Sequence, residues 1–170
     1  MFPFRWVRLK TAGHAKILSY DQLTNRRLLR VLGAQVGKKV ILNSPVTINR
    51  GDRMRNLVIG DNVVFNGNNW LDLNAKLILE EGVSLGPGVI VMTHNRYNKN
   101  KFLEDRLAHT VGEKEVRIKR GAGIKAGALI VMGVTIGENA VVAGNSVVNR
   151  DVADNTFVAG IPAMVIQEFE

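Results

Sequence analysis

His94 is the residue of this chain best placed to move a proton. An imidazole titrates near neutrality, so its neutral ring can accept a proton from a hydroxyl or an amine at physiological pH. The sequence holds three histidines: His14, His94 and His109. His14 lies in a basic N-terminal segment and His109 lies late in a polar loop. His94, in Val91-Met-Thr-His94, stands where a regular repeat gives way to that loop. The repeat fixes its base and the loop leaves its tip accessible. Cysteine is absent, which removes thiol nucleophiles, disulfides and thiolate zinc sites together.

The element that must position His94 is a repeat with a period of six. Across residues 118–153 every sixth position reads Ile118, Ile124, Ile130, Ile136, Val142, Val148. Four residues after each stands a small or branched residue: Ala122, Ala128, Val134, Ala140, Ser146, Val152. A period of six fits neither a helix nor a simple strand alternation. It predicts short strands joined by tight corners and stacked as a parallel β-helix, three hexapeptides to a coil. The match of Gly121-Ala-Gly123-Ile-Lys-Ala126 to a loosened dinucleotide fingerprint fails, because the repeat runs through it where a helix should follow. Asn66-Gly67 resembles a hairpin turn but reads as a coil corner needing positive φ.

The spacing predicts three parts. Residues 1–35 form a basic segment and a helix over 19–33, with Ser19 and Gln22 as a capping box and Gly33 as its stop. Residues 36–153 form the β-helix domain. Its early coils run through Val36, Leu42 and Ile48, then Ile59, Phe65 and Leu71, then Leu79, Leu85 and Val91. They are interrupted by an irregular corner at Asn49–Asn56 and by a two-residue phase slip near Leu77. A polar loop without hexapeptide phase, 93–117, breaks the pattern until Ile118; a long loop inside a compact repeat is functional or disordered. Residues 154–170 close the domain and cover the last open coil.

The 170 residues carry a net charge of +8, unevenly spread. Residues 1–33 hold Arg5, Arg8, Lys10, Lys16, Arg26, Arg27 and Arg30 against Asp21 alone. Such a patch suits phosphates, acidic sugars or anionic lipid, and no nucleic-acid-reading motif accompanies it. No apolar run approaches the length of a transmembrane helix, and the N-terminus is a poor secretory signal. The expected location is cytoplasmic, with peripheral contact to a membrane surface through the basic segment as the alternative.

Three motifs carry a resemblance over residues 36–166. Ile136-Gly-Glu-Asn-Ala, with Ile59-Gly-Asp-Asn-Val before it, is similar to the register of the hexapeptide-repeat acyltransferases. Asn149-Arg-Asp-Val-Ala-Asp-Asn-Thr-Phe-Val-Ala-Gly-Ile-Pro-Ala163 resembles that superfamily's terminal signature, and Val91-Met-Thr-His94 its catalytic segment. The nearest branch is that of the maltose, galactoside and capsular-sugar O-acetyltransferases. The resemblance implies a left-handed β-helix, a homotrimer with active sites between subunits, acetyl-CoA as donor, and a sugar or glycan acceptor. It implies His94 as general base. Asn66-Gly-Asn68 resembles an Asn-x-Asn segment whose second member contacts the acetyl group, a role that falls to Asn68. Alignment to the family pattern makes Ala126, Gly144, Asn149 and Arg150 coenzyme contacts. Asn66, Asn69 and Asp72 are alternatives for acceptor binding, and Trp70 could stack on a sugar face or fill the trimer interface.

The chain departs from the family at Gly123, often tryptophan there, and at Met164 and Gln167, commonly basic. Either Lys119, Arg120 or Lys125 compensates for the missing phosphate anchor, or coenzyme A binding is weaker. The alternatives to sugar O-acetylation are N-acetylation of an amino sugar and a non-catalytic β-helical assembly protein. A β-helical carbonic anhydrase would need three converging histidines, and His14 and His109 lie outside the coils. No metal is expected.

Overall fold

The computed structural model describes residues 14–17, 22–96 and 104–170. Ser19, Arg5, Arg8 and Lys10, singled out above, lie outside them. The chain winds into a left-handed β-helix of about five coils with three sheet faces. The first face stacks Gln35–Val36, Leu57–Ile59, Leu77–Leu79, Val116–Ile118 and Thr135–Ile136. The second stacks Ile41–Leu42, Val64–Phe65, Ser84–Leu85, Gly123–Ile124, Val141–Val142 and Thr156–Gly160. The third stacks Val46–Asn49, Asn69–Asp72, Ile90–Val91, Leu129–Ile130 and Val147–Val148. All these pairings are parallel.

The six-residue column is the core. Ile118, Ile124, Ile130, Ile136, Val142 and Val148 are each at most 1% exposed, and the residues four further on are buried with them. Burying each such side chain contributes about 1.5–3 kcal/mol, so a chain of two-residue strands still packs a continuous interior. Gly37, Gly60, Gly86 and Gly137 each follow a core position by one. A Cβ on Gly137 would stand 2.4 Å from the Ala153 carbonyl carbon of the next coil. Gly137→Ala should therefore cost about 2–3 kcal/mol, whereas Gly123→Ala, whose Cβ meets nothing within 4 Å, should be neutral. Urea unfolding of the two variants checks this.

The two ends depart from the six-residue repeat. The helix runs Gln22–Val31 and closes on Gly33 (φ 108°), with the Ala34 amide donating to the Leu29 carbonyl as in a Schellman cap. Its Arg30 donates to the carbonyls of Val36 and Gly37, so one cation of the basic segment covers the first coil. Ahead of it, His14–Ile17 adds an antiparallel strand beside Val46–Asn49. His14 thus joins the third face, a pairing that the six-residue pattern does not encode. At the C-terminal end Ser146, Val148 and Val158 of the last coil are buried, and the Gly160 amide donates to Ser146 Oγ at 3.1 Å. Thr156–Gly160 and Ala163–Glu168 form an antiparallel hairpin that extends the second face only, turning at the Ala159-Gly-Ile-Pro-Ala163 signature. Ile161, Met164, Val165 and Ile166 remain exposed.

Irregularity is confined to one corner. Successive core positions are six residues apart wherever the chain passes from the first face to the second or from the second to the third. At the third-to-first corner Ile48 is 11 residues from Ile59, Leu71 is eight from Leu79, and Val91 is 27 from Ile118. Only Ile130–Ile136 keeps the spacing of six there. Extra residues at a corner leave the stacked strands in register, so three consecutive coils carry them on one edge.

Candidate functional site

His94 stands on that expanded edge. The loop is not irregular at its base: His94–Asn95 pairs antiparallel with Gly112–Glu113, and short helical turns span Glu104–Leu107 and Ala108–Thr110. The coil resumes at Val116, two residues before Ile118, because Val116 is already buried beside Leu77. The charged, outward Arg117 between the two hides this strand from the hydrophobic pattern. His109 is exposed on the loop.

The eight-residue step from Leu71 to Leu79 lifts Asp72 and Asn74 beneath the histidine. The His94 Nδ1–H donates to Asp72 Oδ2 at 2.5 Å; the carboxylate is 0% exposed and the imidazole 21%. Asp72 Oδ2 also accepts from the Thr93 amide at 3.0 Å and the Thr93 hydroxyl at 2.8 Å. Asp72 Oδ1 accepts from Asn74 Nδ2 at 2.7 Å and Asn49 Nδ2 at 2.8 Å. Burial is the strongest single influence on this carboxyl and pushes its pKa up. The bonds from His94, Thr93 and Asn74 together outweigh it and hold Asp72 below the usual carboxylate range. Asn74 Nδ2 also lies 3.0 Å from His94 Nδ1, but its bond to the carboxylate fixes it as a donor, so this approach is a contact between two donors. With Nδ1 protonated, Nε2 keeps its lone pair. The arrangement orients an imidazole on a buried carboxylate, and in its neutral form such a ring can accept a proton from a bound nucleophile.

Asp72 is therefore not on the surface where an acceptor could touch it; it underlies His94. Asn74, Thr93 and Asn49 escaped the sequence reading. The signals that could have found them are the three breaks of the repeat: the slip near Leu77 for Asn74, the irregular stretch that opens at Asn49, and the loop that opens at Thr93.

The other site residues fall on two edges. Asn66 and Asn68 are exposed at the second-to-third corner, the latter at φ 54°, and Asn69 is buried with its Nδ2 on the Gly86 carbonyl. Ala126 and Gly144 lie on the same corner two and three coils later, both exposed. Equivalent amides at the first-to-second corner are capped by carboxylates: Lys38 by Asp61, Arg120 by Glu80, Glu138 by Asp154. The amides of Ala126 and Gly144 have no such cap among the described residues. They form an open pair of donors beside the exposed Lys125, which makes no ion pair among the described residues. Lys119 and Arg120 are paired to Asp154 and Glu138. Asn149 and Arg150 are exposed on the third-to-first edge, which His94 also occupies. Trp70 is half-buried on the third face between the two edges. It is in register with Thr47, Ile90, Leu129 and Val147, an outward column apolar from Trp70 onward. Among the described residues no three His, Asp or Glu side chains converge as a metal site.

A β-helix with its expansions on one edge, and a carboxylate-oriented histidine among them, defines a class: the left-handed β-helical proteins of hexapeptide repeats. No protein-family model matches the chain. Curated relatives do. “Putative acetyltransferase YJL218W” of Saccharomyces cerevisiae is 30% identical over 162 residues, covering 95% of this chain and 80% of that protein. The galactoside O-acetyltransferase of Escherichia coli is 28% identical, over 98% and 80% of the two chains. Among solved structures, the hexapeptide-repeat acetyltransferase VCA0836 of Vibrio cholerae, complexed with acetyl-CoA, superposes with a TM-score of 0.76 at 30% identity, over 89% and 80% of the chains. The chain belongs to the hexapeptide-repeat acetyltransferase family.

Proposed function

We propose that this protein transfers the acetyl group of acetyl-CoA to a hydroxyl of a sugar or glycan, with His94 as general base. The observation that carries the reading is the His94–Asp72 bond, which leaves Nε2 free to take the acceptor's proton. The acceptor oxygen attacks the thioester carbonyl as its proton passes to Nε2. The tetrahedral oxyanion then collapses, the C–S bond breaks, and the proton returns from Nε2 to the departing coenzyme sulfur. The relatedness to galactoside O-acetyltransferases supports a sugar hydroxyl as acceptor. The same base serves an amino-sugar nitrogen.

The division of residues between two edges supports a homotrimer. His94, Asn149 and Arg150 stand on one edge, and Asn68, Ala126 and Gly144 on the other, with the third face between them. One chain cannot close these halves on one another; a neighbouring subunit packed on the apolar Trp70 column can. In that assembly Asn68 of one subunit meets the oxyanion formed at His94 of the next.

The open amides of Ala126 and Gly144 fit the amide-bearing arm of the coenzyme, and Lys125 fits its phosphates. Gly144→Asp should close this groove, because Asp154 caps the Glu138 amide one corner away from the equivalent position. We expect the KM for acetyl-CoA to rise about tenfold with the melting temperature retained; an unchanged KM removes Ala126 and Gly144 from the coenzyme site.

The test of the function is a screen of hexoses, hexosamines and oligosaccharides with acetyl-CoA, measuring released thiol and the acylated position of any product. Thiol release no faster with any sugar than with water alone would overturn the reading.

A further inference from the structure

The first expanded corner, five residues longer than a regular one, holds a kinked 3-10 turn of six residues, Gly51–Asn56. It is firmly held: Met54 is buried in the core, Asn56 Nδ2 donates to the Leu73 carbonyl at 2.9 Å, and Arg50 grips Asp52 with two bonds. Arg53 sits at the kink (φ −103°, ψ 32°) and reaches past the next coil. Its Nη1 donates to the Asn74 carbonyl at 2.5 Å and to Glu113 Oε2 at 2.8 Å. Both acceptors belong to the surroundings of His94. Asn74 shares the corner with Asp72 and bonds its carboxylate, and Glu113 is the ladder partner of His94 itself.

We propose that Arg53 is a positioning residue for His94, clamping the strand that carries the imidazole onto the corner that carries its carboxylate. The proposal rests on the reading of His94 as the base. Arg53 and Glu113 side chains are 35% and 33% exposed, and a pair so accessible to solvent contributes little to folding. Its work is therefore geometric: the loop base is tied to the coil by a side chain that touches both, and small displacements of a base from its proton cost large factors in rate. The corner between Ile130 and Ile136, which adjoins no such residue pair, has no turn of this kind.

The test compares Arg53→Gln, Arg53→Lys, Glu113→Gln and the double variant Arg53→Gln/Glu113→Gln with His94→Ala in the full chain. Two readouts are used: the imidazole ¹H–¹⁵N signals of His94, and acetyl transfer to the first acceptor turned over in the sugar screen. Arg53→Gln should lower kcat about ten- to a hundredfold while the KM for acetyl-CoA and the melting temperature hold. The Nδ1 proton of His94 should exchange faster with solvent. Arg53→Lys should recover part of both, Glu113→Gln should err in the same direction, and the double variant should be no worse than Arg53→Gln. If Arg53→Gln and Glu113→Gln leave kcat and the His94 signals unchanged while His94→Ala is inactive, the clamp is wrong and the base stands. If His94→Ala keeps its turnover, base and clamp fall together.

Discussion

Replacing His94 with alanine lowers kcat about a thousandfold and leaves the assembled protein intact. The magnitude follows from what a positioned general base contributes, roughly 10²–10⁴ in rate. The selectivity follows from where the ring sits. Its Nδ1 is spent on Asp72, its side chain is one-fifth exposed, and its backbone is held by the Glu113 ladder, which alanine keeps. The core below consists of Leu71, Val91 and Ile130 and does not include the imidazole. The KM for acetyl-CoA should shift by less than about threefold, since the open amides proposed for the coenzyme, those of Ala126 and Gly144, lie on the other edge. Steady-state kinetics and sedimentation decide it; kcat within tenfold of the parent would remove His94 from the chemistry.

Asp72→Asn should cost about a hundredfold or more in kcat and, unlike His94→Ala, should also destabilise the fold. The carboxylate accepts five donors through two oxygens. An amide offers one oxygen and places an N–H₂ against the rest, so at least two buried donors lose their acceptor, at about 1–3 kcal/mol each. If the amide nitrogen faces His94, the ring adopts the opposite tautomer and Nε2 loses its lone pair. The pH dependence has a fixed sign. Asp72 titrates below its ordinary value in the folded chain, so the stabilisation from its ionisation is complete above the ordinary aspartate pKa of about 3.9. It is lost as the pH falls below that toward the depressed folded value. The stability gap between parent and variant should be constant from pH 7 to pH 5 and close only below about pH 4. Urea titrations at these pH values check it; a gap that narrows between pH 7 and pH 5 would contradict the assignment.

Both predictions depend on a pairing that the sequence marked without explaining. The two-residue slip near Leu77 is visible in the chain as an imperfection of the repeat. In the folded protein it is the corner that carries Asp72 and Asn74. The irregular stretch Asn49–Asn56, likewise legible as a break, supplies Asn49 and Arg53 to the same edge. What sequence alone could not supply is that these breaks and the loop at His94 lie above one another. His94 is 22 residues from Asp72 and 41 from Arg53. Asp72 read as a surface contact because a carboxylate in a repeat is ordinarily solvated, and only the stacked coils reveal how many donors meet it.

The sequence by itself determined the scaffold. A period of six with β-branched residues at one position and small residues four further on admits short strands and tight corners, because those preferences act between near neighbours. It also determined where the scaffold fails, and that His94 borders one such failure. Tertiary structure alone decided that all the failures share an edge, that Asp72 lies under the histidine, and that the open amides of Ala126 and Gly144 stand on another corner. Coils stack at the spacing of adjacent strands, about 4.8 Å, so residues a full turn apart become direct neighbours. Which residues those are depends on the accumulated length of every corner between them, and no local pattern carries that sum.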